Sequence, residues 1–107
     1  MIKSNVNLMK KGWFIGNFDP SLYKTNNFEV AYKLYKSGDK ESSHFHRIAT
    51  EFTVVVSGKI KMFNQIFVKG DIVIVEPNES TCFEALENSE TFVIKVPGVN
   101  NDKYLTE

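Results

Sequence analysis

The sequence predicts an all-β protein, an antiparallel sandwich or barrel. Between residues 28 and 96, short apolar runs of period two follow one another. Turn signals separate them at Gly38-Asp39, Ser57-Gly58, Asn64-Gln65 and Gly70-Asp71. No long helical period interrupts the series, so helices have no place in the main layers. A chain of 107 residues supports one modest core and not two.

The elements follow in order. Residues 1–27 form an extension with an aromatic cluster, Trp13, Phe14 and Phe18. In "DPSL", Asp19 can cap a short helix near 20–24 with Pro20 at its first position. "FEVAYKLYK" (28–36) sets Phe28, Val30, Tyr32 and Leu34 against Glu29, Ala31, Lys33 and Tyr35, the pattern of a sheet with one wetter face. Strands follow at 51–58, 59–63, 66–68, 72–75 and 91–96. Residues 97–107 read as a polar tail. The runs "FTVVV" and "IVIV" are apolar on both sides, so one face of each lines the interior and the other needs a second cover. A second sheet or a second subunit supplies that cover, and a homodimer is the expectation.

Composition narrows the function. Charges balance, 13 basic against 13 acidic, with no basic stripe, so nucleic acid is excluded as a partner. Cys82 is the only cysteine, which rules out an internal disulfide and a Cys-rich zinc cluster. No stretch has the apolar length of a signal peptide or a membrane span. The expectation is a soluble cytoplasmic protein.

Both histidines of the chain stand two residues apart, at His44 and His46. On a strand, positions i and i+2 share a face, so the two imidazoles project together and Phe45 points away. If the chain turns at "RIAT" (47–50), His46 faces Glu51 and His44 faces Thr53 across a hairpin. Phe45 and Phe52 then pair on the other face. Two imidazoles and a carboxylate suit a divalent cation such as zinc, and also match the open two-His, one-carboxylate set of non-haem iron enzymes. The competing reading is two solvated histidines with Glu51 paired to Arg47 or Lys59.

Gly38, His44, His46, Glu51 and Gly58 have the spacing G-x5-H-x-H-x4-E-x6-G, which resembles the first motif of the cupins. The resemblance covers about residues 28–96. It implies a cupin-type antiparallel jelly-roll β-barrel (RmlC-like), often dimeric, holding a divalent transition metal (Fe, Mn, Zn or Ni) on His44, His46 and Glu51. The second motif is partial: Gly70-Asp71, the apolar run 72–75 and Pro77 fit, while Asn78 stands for a glycine. Thr81 occupies the place of a third histidine ligand and is a poor ligand itself. Glu79, Cys82, Glu84, water or substrate would have to replace it.

The resemblance implies a metal-dependent enzyme acting on a small polar metabolite, a sugar or an organic acid. Two alternatives accompany it. One is a non-catalytic ligand-binding module. The other is a metal-independent nucleotide-sugar isomerase or epimerase, with His44 or His46 as its acid–base group. Among other candidates, Cys82 reads as a buried packing thiol rather than a nucleophile. Tyr32, Lys33 and Tyr35 could place one phenol or ammonium in the barrel. Trp13 and Phe14 read as core or dimer packing.

Overall fold

A computed structural model describes residues 1–106. After a 3₁₀ turn at Val6–Leu8, ten strands follow: β1 (Trp13–Ile15), β2 (Glu29–Tyr35), β3 (Lys40–His46), β4 (Thr50–Ser57), β5 (Lys59–Met62), β6 (Gln65–Val68), β7 (Ile72–Val75), β8 (Thr81–Ala85), β9 (Ser89–Val96) and β10 (Lys103–Leu105). They form two five-stranded antiparallel sheets, ordered β1-β2-β9-β4-β7 and β10-β3-β8-β5-β6. Neighbours in a sheet are mostly distant in sequence, because the chain crosses repeatedly between the two layers, the pattern of a jelly roll. Among the described residues, no helix is long and apolar enough to cross a membrane.

Pairing sorts the inner face of the first sheet into rows. Glu29, Lys95, Glu51 and Val75 make one; Ala31, Val93, Thr53 and Val73 the next; Lys33, Thr91 and Val55 the third. The half of β2 that looks wetter in the sequence therefore faces inward, and Leu34 on the other half is exposed. Period two fixes which residues share a face. It does not fix which face is inside.

The core lies towards β7 and β5, where Val55, Ile60, Met62, Val73, Val75, Phe83 and Ala85 pack together. Each large aliphatic or aromatic member contributes about 1.5–3 kcal/mol by leaving water. The space towards β2, β3 and β9 is not filled by this core, and there the cavity opens.

Two local expectations change. Residues 20–24 are not helical: Leu22 N–H donates to the Phe14 carbonyl and Gly16 N–H to that of Tyr23, so the segment runs beside β1. Residues 47–50 do not close a hairpin either. β3 pairs with β8 and β10, whereas β4 pairs with β7 and β9, so the turn passes from one sheet to the other. Phe45 accordingly stacks on Tyr104 at 5.4 Å rather than on Phe52.

Candidate metal centre

The site begins with a bulge. Along β3, Glu41 pairs with Phe83 and His44 with Thr81, three residues against two. The extra residue at Ser42-Ser43 rephases the strand, so that Glu41, His44 and His46 all reach the cavity. The bulge also orients a ring, because His44 Nδ1 lies 2.9 Å from the Ser42 carbonyl. His46 is held in the same way, with Nδ1 2.9 Å from the Asp102 carbonyl on the way into β10. A carbonyl oxygen can only accept, so each Nδ1 carries a proton, and in the neutral imidazole the lone pair is then on Nε2.

Glu51 arrives from the opposite sheet. Its Oε2 lies 3.1 Å from His46 Nε2, and both groups are largely buried. While the His46 ring is neutral with its proton on Nδ1, two acceptors face each other at that distance. A cation between them, a proton or a metal ion, resolves the conflict. One nitrogen from each histidine and one Glu51 oxygen lie within 4.8 Å of one another. His44, His46 and Glu51 thus come together as the sequence suggested, but across the sandwich. Burial alone would push the Glu51 carboxyl up. The His46 hydrogen bond and the charges of His46, Lys95 and His44 outweigh it and hold the group below the usual carboxylate range.

Asp102 supports this arrangement and carried no signal in the sequence. It is buried, and its carboxylate accepts from three backbone N–H groups of the crossing turn: Arg47 at 3.0 Å, Ile48 at 3.1 Å and Ala49 at 2.9 Å. Burial opposes its charge, yet these three donors and the nearby His46 bring its carboxyl below its ordinary value. One residue therefore pins the turn through its side chain and His46 through its backbone.

The cavity has a volume of ≈ 540 Å³, within the range of about 300–1,000 Å³ usual for small-molecule sites. Its walls are charged. Lys95 pairs with the buried Glu29 at 3.1 Å. Tyr35 donates to Glu41 at 3.1 Å. Burial first, then Glu41, raises the Tyr35 pKa far above the ordinary phenol value. Lys33 is lowered by burial, against the pull of Glu41. Trp13, expected as packing, lies at the cavity with Lys33 Nζ and Lys95 Nζ each 5.0 Å from its ring centroid.

The proposed replacements for a third histidine stand elsewhere. Thr81 faces inward beside His44, but its hydroxyl donates to the Cys82 carbonyl and accepts from Phe63 N–H. Cys82 is exposed, not buried, and alternates with the buried Thr81 and Phe83. Glu84 alternates outward in the same way, and Glu79 accepts from the Glu76 backbone in an exposed turn. Asn78 does adopt the left-handed backbone of a glycine, at φ 71°. Tyr32 is on the outer face, bonded to Glu90 at 2.7 Å.

No protein-family model matches the chain, and no curated protein matches it in sequence. Solved structures do. The fold is similar to that of a conserved protein with a double-stranded β-helix domain from Klebsiella pneumoniae, at TM-score 0.71 and 23% identity over 78% of this chain and 73% of that one. An RmlC-like cupin from Shewanella frigidimarina gives 0.66 at 16% identity, over 73% and 72%. The DMSP lyase DddQ from Ruegeria pomeroyi gives 0.72 at 13% identity, over 97% of this chain and 56% of that one. At these identities the likeness is one of fold.

Proposed function

We propose that this chain, whose fold is that of the cupins, holds a divalent transition metal on His44, His46 and Glu51 and acts as an enzyme on a small polar metabolite, a sugar or an organic acid. The observation that carries the reading is the pair of backbone carbonyls on Nδ1, which frees each Nε2 to act as a ligand, with His46 Nε2 3.1 Å from Glu51 and one ligand nitrogen of His44 within 4.8 Å of both groups. Such carbonyl-bound imidazoles are the usual form of histidine in metal sites. The donor set, two nitrogens and a carboxylate oxygen, suits Fe, Mn, Zn or Ni.

A bound ion would supply Lewis acidity towards a carbonyl or carboxylate oxygen of the substrate. The chain's own residues do the rest. The two sheets wall the cavity, and Lys33 and Lys95 bring their ammonium groups to it beside Trp13. The Tyr35 phenol stays protonated and tied to Glu41, able to donate to a substrate oxygen only by leaving that carboxylate. One observation favours the non-catalytic binding module as a second reading: Thr81 spends its hydroxyl on the backbone and leaves three side-chain ligands.

A homodimer belongs to the same reading. Outside the first sheet, Ile72, Ile74, Phe92 and Val96 are exposed side by side on β7 and β9, with β4 between them. An apolar face on this scale supports association with a second copy. Elemental analysis of untagged protein tests the central reading: close to one equivalent of a transition metal per chain supports it, and metal at background in protein purified without chelator contradicts it.

A further inference from the structure

Two rows along the strands from Glu51, the cavity wall carries polar groups that the ligand cluster does not use. Lys33 and Thr91 pair directly across β2 and β9, and both line the cavity. Thr91 is fully buried, and its Oγ1 has no hydrogen-bond partner among the described residues. A buried hydroxyl left in that state is destabilising. By contrast, the Ser89 hydroxyl donates to the Glu87 carbonyl at 2.8 Å and that of Thr81 to the Cys82 carbonyl at 2.9 Å.

Lys33 is equally unmatched. Among the described residues no carboxylate oxygen lies within 4.0 Å of its Nζ, whereas Lys95 has Glu29. Glu41, whose charge Lys33 feels, is engaged by the Tyr35 hydroxyl. The Trp13 ring offers its face to the ammonium but accepts no proper hydrogen bond. One ammonium and one hydroxyl thus belong to the same rung of the cavity wall, both able to donate.

We propose that Lys33 and Thr91 form a carboxylate-binding subsite. It takes the acid group of a small organic acid whose other oxygen function reaches His44, His46 and Glu51. The second half rests on the metal reading above; the subsite itself does not. A neutral sugar would leave the ammonium unneutralised. A phosphate dianion is ordinarily met by Arg forks or several backbone N–H groups, and among the described residues no arginine lines this cavity, whereas an ammonium with one hydroxyl matches the single charge of a carboxylate. The partnerless Thr91 is then explained as a group kept for the ligand at a cost to the free protein.

Trp13 is the only tryptophan and lies beside Lys33, so its emission reports the subsite. The experiment titrates succinate, malate, 2-oxoglutarate, inorganic phosphate and the uncharged succinamide into protein with and without EDTA treatment. At least one dicarboxylate should change the emission saturably, while succinamide does not. Lys33→Gln should weaken that acid by about 10–100-fold, the worth of a charge-assisted hydrogen bond, and Lys33→Arg should restore most of it. Thr91→Val should weaken it several-fold and raise the melting temperature of the ligand-free protein. Equal responses to acids and succinamide, no response to any acid, tighter binding of phosphate than of every carboxylate, or an unchanged Lys33→Gln variant would each overturn the subsite. A Lys33-dependent response that persists in His44→Ala/His46→Ala protein upholds it even where the metal reading has failed.

Discussion

Replacing Asp102 by Asn changes one oxygen and one charge at the point where the crossing turn and His46 are both held. One carboxylate oxygen accepts from Arg47 and Ile48, the other from Ile48 and Ala49. An amide keeps one acceptor and turns an N–H₂ donor towards the remaining backbone N–H. Whichever way it sits, Arg47 or Ala49 loses its partner. Hydrogen bonds to a charged group are worth about 1.5–3 kcal/mol, and a stranded donor adds a similar cost, so the variant should lose about 3 kcal/mol. At 4–8 °C per kcal/mol for a domain of this size, the melting temperature falls by about 12–24 °C. The pH dependence has a definite sign. The folded-state carboxyl is depressed, so its contribution is present above the unfolded value of about 3.9 and fades as pH falls through the folded value. The gap between wild type and variant should therefore close in acid. Metal affinity should fall by about 10–100-fold, because a loosened turn no longer fixes the Asp102 carbonyl on His46 Nδ1. Scanning calorimetry of both proteins from pH 7 down to about pH 3, with metal titrations at pH 7, reads all of this. A melting temperature within about 4 °C of wild type, or a gap that widens in acid, refutes the role given to the carboxylate. A large thermal loss with unchanged metal affinity refutes the link to His46.

Three further outcomes follow from the same geometry. Thr81→His adds an imidazole directly beside His44 and should tighten metal binding measured by chelator competition; it also strands Phe63 N–H, which should lower apo stability by about 1–3 kcal/mol. Gly58→Ala should destabilise by more than about 1 kcal/mol in urea melts, since Gly58 is at φ 85° and a Cβ there would collide with Ser89 Oγ and the Asn88 carbonyl. Ile74→Glu, on the exposed outer face, should turn a dimeric protein into a 12.2 kDa species by light scattering with little change in circular dichroism; a monomeric wild type refutes the dimer.

The shared face of His44 and His46 and the β-architecture were legible because both rest on period two, which survives without knowledge of the third dimension; Glu51 was placed beside them by the motif spacing and by a hairpin that the structure does not contain. What was lost depends on partners far away in sequence. A four-residue link between sheets has the same composition as a hairpin loop, so the 47–50 turn read as a hairpin. The bulge at Ser42-Ser43 shifts phase by one residue, and simple alternation counted back from His44 leaves Glu41 on the outside. Asp102 acts on His46 through its carbonyl, a group every residue has, and its carboxylate caps a turn whose Ala49 is 53 residues away in sequence. Lys33 was one of three residues in β2 that could place a phenol or an ammonium in the barrel, whereas Thr91 carried no signal. Polar residues facing inward invert the ordinary reading of an alternating strand, and they do so where the protein has kept room for a ligand.

The most direct test of the metal centre is thermal. A metal that binds only the folded state stabilises it by about 2.7 kcal/mol at a hundredfold excess over its Kd. For this chain that is a rise of about 10–20 °C in melting temperature. EDTA-stripped wild type should show this rise with at least one of Zn²⁺, Mn²⁺, Fe²⁺, Co²⁺ and Ni²⁺, and His44→Ala/His46→Ala should show none while its metal content falls to background. A wild type that responds to none of the five ions, or a double variant that responds as wild type does, contradicts the assignment of His44, His46 and Glu51 as a metal centre.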